Sequence, residues 1–228
     1  LLAIVVFVMH KKEIYTYAAE HNEVTITGLT DYGKKQMKLI IPDHIKGHAV
    51  TSIGFHAFVD CKNVQEVQIP ATVKLIDAGA FSDCKNLKIV NILGETDIAN
   101  GAFEGCESLV EFHIVEGQSN IQSSCFYDSG LSNINEILKS TDVISDCMFL
   151  ECVNIQEVVV PGNVRKIQYN AFGYCYSLKE IVIPDSVEEL EDGIFWSNDD
   201  LTIITSSGSK AEQYAIDHDI PYEIRDDL

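Results

Sequence analysis

The sequence has few basic residues for its length. Its 228 residues include 16 lysines and arginines against 35 aspartates and glutamates, which gives a formal net charge of −19 with neutral histidines. Binding to nucleic acid or to an anionic membrane surface needs a basic face, so both partners are excluded. The acidic charge is compatible with cationic ligands, divalent metals and basic protein surfaces as partners. The alternative is that the charge only keeps a repetitive, sheet-rich surface soluble.

The motifs of common catalytic sites are also missing. The chain has no GxSxG nucleophile elbow, no glycine-rich phosphate loop and no Walker-type lysine. It has no CxxC pair, and no set of cysteines and histidines has zinc spacing, although His44, His48 and His56 lie near one another. We interpret these histidines as surface residues. The sequence therefore predicts a protein that is not an enzyme and that has no cofactor and no bound metal.

Long hydrophobic runs are absent as well. The apolar run at the beginning of the sequence, "LLAIVVFV" at residues 1–8, is far too short to span a bilayer, so direct membrane insertion is not predicted. Residues 1–9 are either the remnant of a signal-peptide core or a strand that protects the first coil. The sequence leaves both alternatives open.

What the chain does contain is an internal repeat, marked by a phenylalanine that recurs every 22 or 23 residues. The seven copies are Phe58, Phe81, Phe103, Phe126, Phe149, Phe172 and Phe195. Three residues after the phenylalanine stands a small residue. It is cysteine in five copies, with Ser129 and Asn198 in the other two. These cysteines are Cys61, Cys84, Cys106, Cys152 and Cys175. Such a period is typical of repeat architectures.

Each copy continues with alternating aliphatic positions, such as Ile181 and Ile183, and often ends in proline, as at Pro184. Alternation of this kind predicts a strand with one buried face, and the proline ends its pairing. A single such strand cannot bury its own face, but stacked copies can, so the repeat predicts a solenoid. The recurrent phenylalanine would point inward as a large core side chain.

The unit has the form IPxxVxxIxxxAFxxCxxLxxVx, as in "IPATVKLIDAGAFSDCKNLKIVN" from Ile69 to Asn91. It resembles the BspA-type leucine-rich repeat over residues 41–204. The segment from "YTYAAE" onward is similar to the family's N-terminal entry, and "GSKAEQYAIDHDIPYEI" is similar to its closing helix and strand. The resemblance implies a cell-surface or secreted protein of host-associated microbes, often connected with adhesion to host matrix proteins or to other cells. It does not imply an enzyme.

The predicted fold is an α/β-type repeat solenoid that is mostly β. We expect a right-handed leucine-rich-repeat coil with one stacked parallel sheet, short convex turns or helices, and a C-terminal helix-strand cap. The expected domains are an N-terminal segment and cap at 1–40, seven repeats of 22–28 residues at 41–204, and the cap at 205–228. The fourth copy, "SSCFYDSGLSNINEI", departs most from the pattern and leaves the strand register open near Asn135 to Ile137.

The seven cysteines allow two interpretations. Thiols in one column of adjacent coils of an exported protein would lie close enough to form disulfides. The alternative, which we favour, is a ladder of free structural thiols, because serine and asparagine occupy the same column and share the ability to bond to turn backbone. Cys125 and Cys147 lie in other columns. Each is expected to be structural, with a reactive thiol as the alternative.

Candidate binding residues are the outward positions of the stacked strands. One outward column has a repeated glutamate and the other varies. They are Glu66, Glu111, Glu157 and Glu180 in the first column, with Gln68, Asn91, His113, Val159 and Val182 in the second. Glutamates about 5 Å apart on neighbouring strands would repel one another, and a basic partner or a cation such as calcium would relieve that cost. The alternative is that repeated glutamate simply discourages edge pairing and self-association.

Two functions remain from the sequence. The first is a non-catalytic interaction module whose partner is a protein or glycoprotein ligand, host extracellular matrix being one candidate. The second is a structural spacer that carries another domain away from a cell surface. An extracellular or cell-surface location is expected for both. The oligomeric state is not predicted.

Overall fold

A computed structural model describes residues 13–115 and 119–227, so the predicted strand or signal remnant at residues 1–9 lies outside the described residues. The described chain winds into successive coils whose short strands stack in parallel, coil upon coil. The fold class is confirmed: a mostly β solenoid with few helices. No helix in the described ranges is long and apolar enough to cross a membrane.

The alternating segments form the main ladder, a stack of parallel strands. It has two parts, in the order β10-β8-β6-β3 and β12-β14-β16-β17. The first part contains β3 (Lys38–Ile40), β6 (Glu66–Ile69), β8 (Ile89–Ile92) and β10 (Glu111–Ile114). The second part contains β12 (Glu157–Val159), β14 (Glu180–Val182), β16 (Thr202–Thr205) and β17 (Tyr222–Ile224). Inward residues such as Val67, Val90 and Ile181 are inaccessible to solvent because the next coil covers them.

The gap between the two parts lies in the fourth copy. There the chain forms the helix α1 (Asn135–Lys139) where the other copies form a main-ladder strand. Ile137 and Leu138 are buried, so the helix still fills the core. The Asn163 side chain donates hydrogen bonds of 2.9 and 2.6 Å to the carbonyls of Leu138 and Thr141, which ties this helix to the next coil.

A second, short ladder precedes the recurrent phenylalanines. It contains β5 (His48–Ile53), β7 (Leu75–Ile76) and β9 (Asp97–Ile98), and then β11 (Val143–Ile144), β13 (Lys166–Ile167) and β15 (Glu189–Leu190). A parallel bridge from Ile98 to Ile121 continues it into the fourth copy. The sequence predicts one stacked sheet, whereas the structure has strands on two walls of the coil. Most short-ladder strands are two residues long, too short to show a period of two.

Between the two ladders lies the Phe turn, which we define as the segment from three residues before the recurrent phenylalanine to two residues after it. All seven phenylalanines are buried, and their rings stack from coil to coil with centroids 4.9–5.9 Å apart. The residues two before and two after each phenylalanine have positive φ, for example Cys147 at 54° and Glu151 at 60°. These two left-handed residues bend the chain without a helix.

The ends of the solenoid have their own elements. At the N-terminal end, β1 (Tyr15–Glu20) and β2 (Glu23–Leu29) form an antiparallel hairpin, and β2 pairs in parallel with β5. A 3-10 helix (Gly33–Lys35) follows, and β4 (His44–Ile45) pairs with β5 around a Lys46-Gly47 turn. At the C-terminal end, the helix α2 (Lys210–Asp217) precedes β17, which extends the main ladder.

The helix α2 begins at a serine cap. The Ser209 hydroxyl accepts a hydrogen bond of 2.9 Å from the Glu212 backbone N–H. Ala211, Tyr214 and Ala215 are buried on one side of the helix. Ile216 is half exposed, because it lies about 100° around the helix from Ala215 and about 160° from Tyr214.

Candidate functional site

The outward face of the main ladder carries the predicted binding residues. Main-ladder strands point alternate side chains inward and outward, so these residues are displayed on one surface. Glu111, His113, Glu157, Val159 and Glu180 are exposed. Glu66, Gln68, Asn91 and Val182 are partly exposed. The structure therefore brings together the predicted residues within each part of the ladder, although α1 lies between the two parts.

The glutamates do not form the continuous column that the sequence suggests. Glu157 pairs directly with Glu180, but Ile89 stands between Glu66 and Glu111 in the strand register. Glu66 also has a cationic partner, since its carboxylate lies 2.6 Å from the Lys38 Nζ on the next strand. The expected repulsion between neighbouring glutamates is therefore restricted to Glu157 and Glu180. This correction weakens the calcium hypothesis, which needs carboxylates side by side.

At the edge of the first part, His113 lies between two carboxylates. Its Nε2 is 3.5 Å from Glu111, and its Nδ1 is 3.2 Å from Glu136 on α1. The side chains of all three are about half exposed. The fourth copy therefore supplies a polar residue to the face even though it has no strand there. The sequence could not show this, because Glu136 lies outside the repeated columns.

The outward face also has apolar side chains without cover. Ile40 is 56% exposed and Val159 is 60% exposed. Each has a polar neighbour on the same face. Ile40 pairs with Gln68 on the next strand, and Val159 lies two residues after Glu157 on its own strand. The surface therefore mixes apolar and charged groups.

The cysteine column lies on the inside. Four of its five thiols are buried, and Cys61 in the first coil is partly exposed. Each buried thiol donates to the carbonyl of the recurrent phenylalanine one coil earlier. The sulfur-to-oxygen distances are 3.0 Å for Cys84, 3.3 Å for Cys106, 3.0 Å for Cys152 and 3.1 Å for Cys175. Asn198 makes the same contact to Phe172 at 2.8 Å. A shared acceptor explains why these residue types alternate in one column.

The cysteines outside that column are also accounted for by packing. Cys125 takes the place of the alanine before the phenylalanine and is fully buried, and burial raises the pKa of its thiol to about 12. Burial likewise raises the pKa of Cys152 to about 11. Cys147 has a left-handed backbone and is partly exposed, and its pKa is raised by burial and by Asp146. Raised pKa values disfavour the reactive thiolate.

A group of carboxylates lies on the outer side of the Phe turns. Burial and the nearby Asp83 raise the pKa of Glu104. Burial and the carboxylates of Glu107 and Glu151 raise the pKa of Asp128. Within the described ranges, no three histidine, cysteine or acidic side chains are placed to hold a metal ion.

Comparison with known proteins assigns the family. The model of the BspA type leucine rich repeat region matches six copies over residues 32–144 and 94–202, which is most of the chain. The chain belongs to the BspA-type leucine-rich repeat family. No curated protein matches the chain.

Several solved leucine-rich repeat structures are similar to this BspA-type chain. A leucine rich cell surface protein from Faecalibacterium prausnitzii is 19% identical with a TM-score of 0.44, and the match covers 87% of this chain and 76% of that one. A T. pallidum leucine rich repeat protein is 20% identical with a TM-score of 0.39, covering 84% and 68%. A Bacteroides ovatus leucine-rich repeat protein is 20% identical with a TM-score of 0.35, covering 85% and 70%.

Proposed function

We propose that the chain is a non-catalytic protein-interaction module, displayed at a cell surface or secreted, which binds a protein or glycoprotein through the outward face of its main ladder. Adhesion to host matrix or to other cells is the biological role that fits such a module best. Membership of the BspA-type family supports the interaction role.

One observation carries the proposal. The inward positions of the main ladder repeat one chemistry, apolar and buried, from Leu39 on β3 to Ile181 on β14, whereas the outward positions change from strand to strand. Along the first part the outward pairs are Lys38 with Ile40, Glu66 with Gln68, Ile89 with Asn91, and Glu111 with His113. Variation confined to the outward positions of a constant scaffold supports a solenoid that presents a recognition surface.

The test is binding to immobilised matrix proteins and mucins, measured by interferometry at low and physiological salt, with and without calcium. We expect saturable binding that weakens with salt, because the face carries charge. Two variants separate the halves of the face: Glu66→Gln with Glu111→Gln, and Glu157→Gln with Glu180→Gln. A matched control, Glu20→Gln with Glu95→Gln, removes two exposed carboxylates elsewhere.

The rival function is a structural spacer. Hydrogen bonds link successive coils through both ladders and the Phe turns, which favours a stiff rod. A spacer would bind nothing in the panel, or would bind equally well after either face variant and after the control. Loss of binding in one face variant alone would support the interaction module and locate its contact.

A further inference from the structure

Each Phe turn donates backbone N–H groups to the next one. The donors are the phenylalanine and the residues two before and two after it. In the fifth copy, Cys147, Phe149 and Glu151 donate to the carbonyls of Tyr169, Ala171 and Gly173 at 3.0, 2.9 and 2.9 Å. All three bonds form at the first five junctions between copies, and those of Phe172 and Tyr174 form at the sixth. All of these hydrogen bonds have the same direction, because the donor N–H groups point toward the C-terminal end of the solenoid.

The last copy has the donors without the acceptors. The N–H groups of Phe195 and Ser197 have no partner among the described residues. The helix α2 covers part of this end, and its Tyr214 hydroxyl accepts from the Ile194 N–H at 3.2 Å and also interacts with the Gly193 backbone. It does not reach the other two donors. Backbone donors at a protein surface are satisfied either by water or by a ligand, and two aligned donors can bind a ligand with matching carbonyls.

These donors line a cavity of about 670 Å³ between the last Phe turn and the C-terminal cap. Trp196 and Tyr169, both about half exposed, form its aromatic wall. Gly193 has a φ of 72°, and a Cβ there would come within 2.5 Å of the Trp196 indole nitrogen. Glycine therefore lets the indole lie over the backbone. Aromatic walls of this kind are common anchors for peptide partners.

The charge around the cavity selects the partner. Asp192, Asp199 and Asp219 line it, and no lysine or arginine does. A neighbouring groove adds Glu188, Glu189, Glu191 and Asp217, with Lys210 in its lining and Lys166 paired with Glu189 and Glu191. Carboxylate or phosphate ligands would be repelled, although the N–H groups could donate to them. A partner with neutral backbone carbonyls and basic side chains suits both features of the site, because its carbonyls accept from the N–H groups and its side chains attract the carboxylates.

We propose that this C-terminal end binds an extended segment of a basic protein partner, whose backbone carbonyls accept from Phe195 and Ser197 as a further coil would. The site is distinct from the outward face of the main ladder and does not depend on it. The occupant adds backbone hydrogen bonds at an open edge, while its basic side chains meet the surrounding aspartates.

Trp196 is the single tryptophan of the chain, so its fluorescence reports the cavity directly. The probe is an octapeptide of alternating lysine and glycine. Two comparison ligands are the matching glutamate-glycine octapeptide and spermine, which has positive charge without carbonyls. We expect a saturable fluorescence change with the lysine peptide, none with the glutamate peptide, and weaker binding of spermine. Amide hydrogen exchange at residues 195 and 197 should slow by roughly tenfold or more in the peptide complex.

Asp192→Asn with Asp199→Asn should weaken binding of the lysine peptide by roughly tenfold, because both side chains are exposed and can be changed without disturbing the core. Glu20→Gln with Glu95→Gln is the control of equal charge and should bind as the natural chain does. Equal binding of spermine and peptide, or unchanged exchange of the two amides, would overturn the proposal. Protection of these amides that rises with protein concentration alone would also overturn it, since a second copy would then be the occupant.

Discussion

A single atom explains the mixed composition of the cysteine column. Five of the recurrent phenylalanines accept at the carbonyl oxygen from a side chain of the next coil, a thiol in four cases and the Asn198 amide in the fifth. The Ser129 hydroxyl instead bonds to the Cys152 thiol at 3.3 Å. The sequence shows which residue types share the column, and bonding to turn backbone could be predicted from it. The identity of the acceptor could not, because it depends on how one coil sits over the next.

Cys152 gives the cleanest test of this bond. Cys152→Ala should lower the free energy of unfolding by about 1 kcal/mol, because it removes the thiol donor to the buried Phe126 carbonyl, which keeps only the Ser129 N–H at 3.1 Å. Cys152→Ser keeps a donor and should cost less. Urea denaturation of the two variants would measure the difference. Equal losses would mean that the column is selected for volume and not for hydrogen bonding.

The ring stack makes a second prediction at this scale. Phe126 is fully buried between Phe103 and Phe149, with centroids 5.9 and 5.7 Å away. Phe126→Ala should lower the free energy of unfolding by about 3–5 kcal/mol, since it leaves a cavity in the middle of the stack. Phe55→Ala is the control, because Phe55 is 65% exposed and lies outside the stack. Its effect in the same denaturation experiment should be within about 0.5 kcal/mol.

At the scale of elements, the sequence predicts those that repeat and misses those that do not. The main-ladder strands have a clear alternation, which fixes their inward and outward sides. The helix α1 was not predicted, because the fourth copy is the one that breaks the pattern, and its buried Ile137 and Leu138 are too few to show a helical period. The prediction of a continuous glutamate column was wrong for a related reason, because the copies that have glutamate are not all neighbours in space.

The cap helix offers a prediction for one element. Ser209→Ala should destabilise the chain by about 1 kcal/mol, because the hydroxyl accepts from the Glu212 N–H and also bonds to Thr205 at 2.8 Å. Hydrogen exchange should show the loss first in α2 and β17. Ser207→Ala is a suitable control, since Ser207 bonds to Asp226 through its backbone N–H and not through its side chain. A uniform loss along the whole chain would contradict a local capping role.

For the whole molecule, the ionised carboxylates on the Phe turns lower the stability of the fold by an amount that depends on pH. The folded state raises the pKa of Glu104 and Asp128, so it binds their protons more tightly than the unfolded state does. Stability from these groups is therefore greatest below their unfolded pKa values and is lost as pH rises through the folded ones. Glu104→Gln with Asp128→Asn should raise Tm at neutral pH and leave it little changed in acid.

Glu191 provides the control of opposite sign. Hydrogen bonding to Lys166 holds its pKa below the usual range, so its contribution is present at neutral pH and is lost as pH falls. Glu191→Gln should therefore lower Tm at neutral pH. Thermal unfolding of both variants across the acid range would compare the two slopes. Parallel profiles would show that neither carboxylate environment affects folding.

The common direction of the N–H groups in the Phe turns has an electrical consequence. Peptide units that point the same way sum to a dipole, as they do in a helix, but here the positive pole is at the C-terminal end of the solenoid because the N–H groups point there. Residues 186–228 carry twelve acidic side chains and two basic ones. The densest negative charge of the chain thus lies against the positive pole of its backbone, and each neutralises part of the other.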